Sequence, residues 1–262
     1  TAEEVESLLE TSWAALPVVY EEEQASTNQT AKMLAEQGAS HGTLVVAERQ
    51  VSGRGRRGRP WHSPKGSGIW MSILLRPQIH PMSASMLTLV AAMAVYDAIS
   101  SRVEGCAIKW PNDIVIGGRK ITGILTEMST EMETISYVVV GIGINANMTE
   151  FPEDISRTAT SLAIECKKPV SRSLIVASFG HYFEQYYEIF INDLNMSSLK
   201  DIYESMLVNK GAEVAIIGKS GTIRRKAVGI NDEGELLVED DEHNITAVRA
   251  GEVSVRGIYG YV

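Results

Sequence analysis

The chain has 262 residues, 44% hydrophobic and 22% charged, a globular composition that excludes a disordered or fibrous protein. Its formal net charge of −9 argues against bulk electrostatic binding of nucleic acid, so no DNA partner is expected, and it leaves room only for a local basic patch. Two cysteines cannot build a disulfide framework, which favours reduced thiols and a cytoplasmic setting. No secretory signal opens the chain, and no run approaches the roughly 18 uninterrupted apolar residues of a membrane span, so no membrane partner is expected.

Residues 3–13 alternate acids with Val5, Leu8, Leu9 and Trp13 at helical spacing, and Pro17 ends that helix. Pro17 to Tyr20 reads as a short strand. Ser26, Thr27 and Asn28 offer caps for a helix over about 28–37, with Gly38 at its C-cap. Thr43 to Arg49 is a strand. Gln50 to Gly68 holds five glycines, two prolines and no periodicity. It is a loop longer than the ~12–15 residues that usually mark function or disorder. Ile69 to Leu75 returns to strand, and residues 83–102 form a helix apolar nearly all round, hence buried. Strands follow at 106–110, 114–116, 120–127 and 136–143, with Gly117 and Gly118 turning a hairpin. Residues 173–193 and 198–207 are helical. After Asn209, short strands at 213–217, 222–230, 235–239 and 244–248 alternate with glycine turns, the pattern of a small barrel. The expected organisation is therefore one domain over 1–209 and a small one over 210–262.

Three segments carry chemistry. Gly53-Arg54-Gly55-Arg56-Arg57-Gly58-Arg59 sets four arginines in seven residues of an acidic chain. Guanidinium forks bind phosphate bidentately, and the glycines let backbone approach a ligand, so a polyphosphate is the natural partner. The bland alternatives are a solvated basic loop or an arginine–glycine RNA tract, but flanking strands and the lack of interleaved aromatics disfavour both. Lys109-Trp110-Pro111-Asn112-Asp113 holds a lysine at the end of a strand, placed to neutralise charge developing at a phosphoryl or carboxyl centre. Alone, this segment reads as an ordinary turn. Gly141-Ile142-Gly143-Ile144-Asn145-Ala146 fits a dinucleotide fingerprint, yet no helix follows it, so close packing of a ligand on a strand is the better reading. No P-loop, zinc spacing or nucleophile elbow is present. His41, His62, His80, His181 and His243 are scattered.

Taken in order, these pieces resemble the biotin–protein ligases. The likeness runs from about Tyr20 to Arg256 through Ser26-Thr27-Asn28, Gln50 with the Gly53–Arg59 loop, Trp61-x-Ser63, and Lys109–Asp113. It continues through Lys120-x-x-Gly123-Ile-Leu125, Gly141-x-Gly143-Ile-Asn145 and Gly251-Glu252-x-x-x-Arg256. Each piece is weak alone, and the ordered set is specific. The resemblance implies an α+β fold: a mixed, mostly antiparallel sheet with helices on one face, followed by a small SH3-like barrel. It also implies activation of biotin by MgATP to biotinyl-5′-adenylate, then transfer to a lysine of a biotin carboxyl carrier domain.

By the same resemblance Ser26, Thr27, Asn28 and Gln50 would meet the ureido head of biotin. Arg54, Gly55, Arg56 and Lys109 would hold the carboxylate and α-phosphate, with Arg54, Arg56 and Lys109 catalytic. Gly141 and Gly143 would admit the biotin ring or tail. Arg57, Arg59, Trp61, Asn145 and Arg256 would serve the nucleotide, Trp61 also covering the biotin. Asp113 is the one candidate metal ligand, and the ligands of Mg2+ are otherwise not readable. The Gln50–Gly68 loop is expected to order over ligand and shield the adenylate from water. About 25 residues precede Ser26, too few for the winged helix-turn-helix of many bacterial members, so the monofunctional type is expected. No Ala-Met-Lys-Met-like acceptor occurs, which makes the carrier a separate partner. The family includes monomers and homodimers. A lipoate or octanoate ligase on the same fold, a nucleic-acid-binding module and an inactive homologue are the competing readings.

Overall fold

Apolar runs bounded by glycine and proline pair into a seven-stranded mixed sheet in the computed structural model, which describes residues 1–218, 221–250, 254–257 and 261–262. Its strands are β1 (Val18–Gln24), β2 (Leu44–Gln50), β3 (Ile69–Leu75), β4 (Cys106–Lys109), β5 (Asp113–Ile116), β6 (Arg119–Glu131) and β7 (Thr134–Ile144). They lie in the order β1-β2-β3-β7-β6-β5-β4, with only β1 and β2 parallel. The expected mixed, mostly antiparallel sheet is what forms. Strand β3 is buried along its whole length, as an unbroken apolar run should be.

The helices are α1 (Ala2–Glu6), α2 (Thr27–Glu36), α3 (Met86–Ser100), α4 (Leu162–Cys166), α5 (Arg172–Asp193) and α6 (Lys200–Met206). Helices α3 and α5 pack with one face of the sheet in the main core, where Leu87, Val90 and Phe179 join Met71, Ile73 and Val140. Helix α2 covers part of the other face, setting Ala31 and Ala35 on Val45, Leu74 and Val139. By length and composition Pro81–Ser100 could cross a membrane, yet 72% of its most apolar stretch is buried inside the fold. It begins with a short 3-10 turn over Pro81–Ser85 rather than as one continuous α-helix.

The expected helix over 3–13 stops at Glu6. The backbone N–H groups of Ser12, Trp13 and Ala14 all donate to the Glu184 carboxylate on α5, at 2.8–3.2 Å, so they are not available to a helical ladder. Ser26 does occupy the N-cap of α2, but its side chain makes no capping bond.

A second, all-antiparallel sheet follows: β8 (Glu213–Gly218), β9 (Gly221–Ile230), β10 (Leu236–Glu239), β11 (Ile245–Val248) and β12 (Ser254–Gly257), in the order β11-β10-β9-β8-β12. Its inner residues Val214, Ala227, Leu236 and Val255 belong to the same apolar cluster as α3 and Trp110. Trp110 joins the two parts by polar contacts as well. Its backbone N–H donates to Asn209 Oδ1 (2.8 Å) and its indole N–H to the Gly234 carbonyl (3.0 Å). The expected Gly251 and Glu252 lie outside the described residues; Arg256 lies on β12.

Candidate active site

Strands β6 and β7, the turn from β4 to β5, the arginine loop and β12 enclose a cavity of about 500 Å3. One end is a hydrogen-bonded polar network. The Ser72 hydroxyl, on the wholly buried β3, bridges Thr27 Oγ1 (2.7 Å) and Asn28 Oδ1 (2.6 Å). Thr27 donates from its backbone N–H and its hydroxyl to Gln50 Oε1, and Gln50 Nε2 donates to Ser63 Oγ (3.0 Å). On the other side Asn28 Nδ2 donates to Glu127 Oε2 (2.7 Å), and Lys32 Nζ to Glu127 Oε1 (2.6 Å). Burial works to raise the Glu127 carboxyl, but its bonds from Lys32 and Asn28 prevail and hold it below the ordinary range. Every member is tied to another, so the end of the cavity is rigid.

The other end is cationic. The arginine loop folds on itself through an antiparallel bridge of Arg54 with Pro60 and a 3-10 turn at Arg56–Gly58. Arg57 takes a left-handed φ of 58°, an uncommon position for a residue with a side chain. Arg56 Nη1 donates to Asn112 Oδ1 (2.8 Å), and Asn112 Nδ2 to the Ile124 carbonyl (3.1 Å), which fastens the loop to the turn between β4 and β5. Lys109 is 4% exposed, and its Nζ stands 3.5 Å from the centre of the Tyr261 ring. Burial lowers its pKa to about 8; Asp113 opposes that shift, while Lys120, Arg256 and Arg56 add to it.

The small-residue positions between these ends have a steric reason. A Cβ on Gly141 would overlap the Asn28 amide. One on Gly143 would stand 2.5 Å from Trp61 Nε1, and one on Gly123 2.8 Å from Trp61 Cζ3. The Trp61 indole thus lies across the glycines of β6 and β7, with its buried N–H lacking a hydrogen-bond partner.

All of the residues expected at the site line this one cavity: Ser26, Thr27, Asn28, Gln50, Arg54, Gly55, Arg56, Arg57, Arg59, Trp61, Lys109, Gly141, Gly143, Asn145 and Arg256. Asn145 is buried and already donates Nδ2 to the Thr160 carbonyl (3.0 Å). Asp113 does not suit a metal. Its Oδ1 accepts from Lys120 Nζ (2.6 Å) and its Oδ2 from the Tyr261 hydroxyl. Among the described residues no cluster of three His, Cys, Asp or Glu side chains could hold a metal ion.

Sequence reasoning missed Ser72, Glu127, Lys32 and Tyr261. The lone serine in the apolar run Ile69–Leu75 was the available signal for the first. Glu127 lies 99 residues from Asn28, and Tyr261 lies 148 from Asp113, so no local pattern announces either.

The sequence profile of the Biotin/lipoate A/B protein ligase family matches residues 20–145, and that of the Biotin protein ligase C terminal domain matches 211–256. The bifunctional ligase/repressor BirA of Bacillus subtilis is 40% identical over 228 residues, covering 86% of this chain and 70% of that protein. The chain belongs to the biotin protein ligase family. This biotin ligase is also 44% identical over 123 residues to the biotin–[acetyl-CoA-carboxylase] ligase of Paracoccus denitrificans, which spans 46% of this chain and 50% of that one. Its fold matches that of the biotin protein ligase from Aquifex aeolicus in complex with biotin and ATP. That match has a TM-score of 0.79 and 32% identity, and covers 92% of this chain and 98% of the other.

Proposed function

We propose that the chain activates biotin with ATP as biotinyl-5′-adenylate and transfers it to a lysine of a biotin carboxyl carrier domain. One observation carries this reading: a single cavity holds a neutral, pre-bonded polar end and a cationic end, joined across glycines. The ureido head of biotin is neutral, with donors and acceptors that must be matched once buried. The network around Thr27, Asn28, Gln50 and Ser72 supplies such groups. Gly141 and Gly143 let Asn28 and Trp61 lie close against the sheet, and the ring and tail would pack beside them, next to the orphan Trp61 N–H.

The chemistry then follows from charge. In the first step a biotin carboxylate oxygen attacks the α-phosphorus of ATP, a P–O bond to the leaving group breaks, and pyrophosphate departs. Carboxylate and phosphate repel each other, so the step needs fixed cations. Lys109 would sit at the junction, with Arg54 and Arg56 beside it and Arg57 and Arg59 reaching the outer phosphates. Each charge-assisted bond contributes about 1.5–3 kcal/mol. In the second step the carrier lysine, as free amine, attacks the acyl carbon; the acyl–phosphate C–O bond breaks, AMP leaves, the attacking nitrogen gives up a proton to solvent, and an amide forms. Asn145 and Arg256 would meet the adenine. Residues 1–209 would carry the chemistry, and 210–262 would contribute Arg256 to the nucleotide end. Mg2+ would arrive on the ATP phosphates, because the described residues offer it no carboxylate cluster.

Biotin-dependent ATP–pyrophosphate exchange tests the first step, with lipoate and no-acid controls. Exchange with biotin alone is expected, followed by biotin transfer to an isolated carrier domain. Exchange with lipoate in its place would move the chain to the other branch of the family. Exchange with neither acid, in folded protein, would overturn the reading.

A further inference from the structure

Lys109 and Asp113 are direct partners in the β4–β5 pairing. Side chains so placed ordinarily form an ion pair, and such a pair would cancel the charge an anionic substrate needs. Among the described residues Asp113 instead pairs with Lys120, and no Lys109–Asp113 pair lies within 4.0 Å. Both Asp113 oxygens are turned to other partners, Oδ1 to Lys120 and Oδ2 to the Tyr261 hydroxyl. The same tyrosine places its ring face under the Lys109 ammonium, 3.5 Å from centroid to Nζ. A ring face attracts a cation but does not neutralise it.

We propose that Tyr261 is a positioning residue: it holds Asp113 away from Lys109 and keeps the Lys109 ammonium free for an anionic substrate. The charged groups facing Lys109 are Asp113 from β5, Lys120 from β6, Arg256 from β12 and Arg56 from the arginine loop. Asp113 is the sole anion among them, so its direction decides whether the cluster presents net positive charge. Burial works to raise the Asp113 carboxyl, and Lys120 and Lys109 outweigh it, keeping it ionised and able to pair.

The proposal rests on the ligase reading only for its activity readout; binding of ATP itself tests it separately. Tyr261→Phe keeps the ring face and removes the hydroxyl. Calorimetry on the full chain, from about pH 6.5 to 9.5, should show ATP affinity at neutral pH falling about tenfold. The alkaline loss of affinity should also move to higher pH, because a freed Asp113 carboxylate pairs with the Lys109 ammonium. In an Asp113→Asn background the same Tyr261→Phe change should cost nothing further. An unchanged affinity and pH profile in Tyr261→Phe would overturn the proposal. So would a loss of affinity with no pH shift, or a loss fully additive with Asp113→Asn, either of which a merely structural role would give. Pyrophosphate exchange in the same variants separates the two claims. Inactive wild-type protein counts against the ligase reading, whereas active wild-type protein with an unaffected Tyr261→Phe counts against the tyrosine.

Discussion

The two ends of the cavity are built on opposite principles. At the end formed by Thr27, Asn28, Gln50 and Ser72, polar groups are already bonded to one another, and the only charges, Lys32 and Glu127, neutralise each other. At the other end Lys109 is buried with no carboxylate paired to it, and Arg54, Arg57 and Arg59 are exposed around it. A satisfied network costs little to keep and fixes a shape. A cluster of unpaired cations costs stability until an anion arrives, so it is the part whose retention needs a functional reason.

The largest test of that contrast is Lys109→Met. Exchange activity should fall by about 10²–10³-fold, the usual effect of removing one fixed group that stabilises developing charge. Thermal stability should rise, because burial holds the Lys109 pKa near 8, well below its ordinary value. The displacement amounts to a penalty on the order of 3 kcal/mol for keeping the ammonium at neutral pH. Loss of activity together with loss of stability would mean that the lysine is structural.

Gly141→Ala probes the opposite end. The added methyl overlaps the Asn28 amide, and overpacking of this kind costs roughly 1–3 kcal/mol. Biotin binding should weaken about tenfold or more, with ATP affinity unchanged when each ligand is titrated alone. Equal weakening of both would dissolve the distinction between the two ends. Arg56→Gly cuts the link from the loop to Asn112 and should let adenylate escape. The ratio of released adenylate to biotinylated carrier should rise several-fold, and the 50–68 segment should gain no protease protection from ligand.

The pH dependence divides the ends in the same way. The Lys109 ammonium is lost as pH rises through about 8, so ATP affinity should decline above that point. The Glu127 carboxyl lies below its ordinary range. Its contribution is therefore present above the unfolded value of about 4.3 and is lost only as pH falls through the lower folded value. Biotin affinity should be flat from pH 5 to about 7.5 and then share part of the ATP decline, because Lys109 at the junction also faces the biotin carboxylate. A biotin curve that falls below about pH 7.5 would show that a group at the neutral end titrates as well.

Much of this was legible in the sequence because the signals are local. The run Ile69–Leu75 announces β3 to the residue, and Gly117 and Gly118, both at positive φ, announce the β5–β6 turn. The arginine loop announces an anion by its composition alone. What stayed hidden depends on distant chain. The helix expected over 3–13 yields to Glu184, some 170 residues away. Ser72 looks like a flaw in a core strand until Thr27 and Asn28 are placed beside it. Lys120 and Asp113 meet locally across the β5–β6 hairpin, but the Tyr261 that shares Asp113 emerges only when the end of the described chain returns to β5.

The smallest effect should come from Glu127→Gln. Glu127 accepts from Asn28 through one oxygen and from Lys32 through the other. A glutamine keeps one acceptor and turns the other into a donor. Lys32 is one-third exposed and can swing to water, whereas Asn28 is buried and held by Ser72. The glutamine oxygen should therefore turn toward Asn28 and preserve its orientation. What is lost is one partly exposed ion pair, a contribution of about 0–1 kcal/mol. Biotin affinity should drop no more than two- to threefold, and Lys32→Met should reproduce that drop without adding to it in the double variant. A loss as large as that of Gly141→Ala would show that the carboxylate charge itself, rather than the hold on Asn28, shapes the neutral end of the cavity.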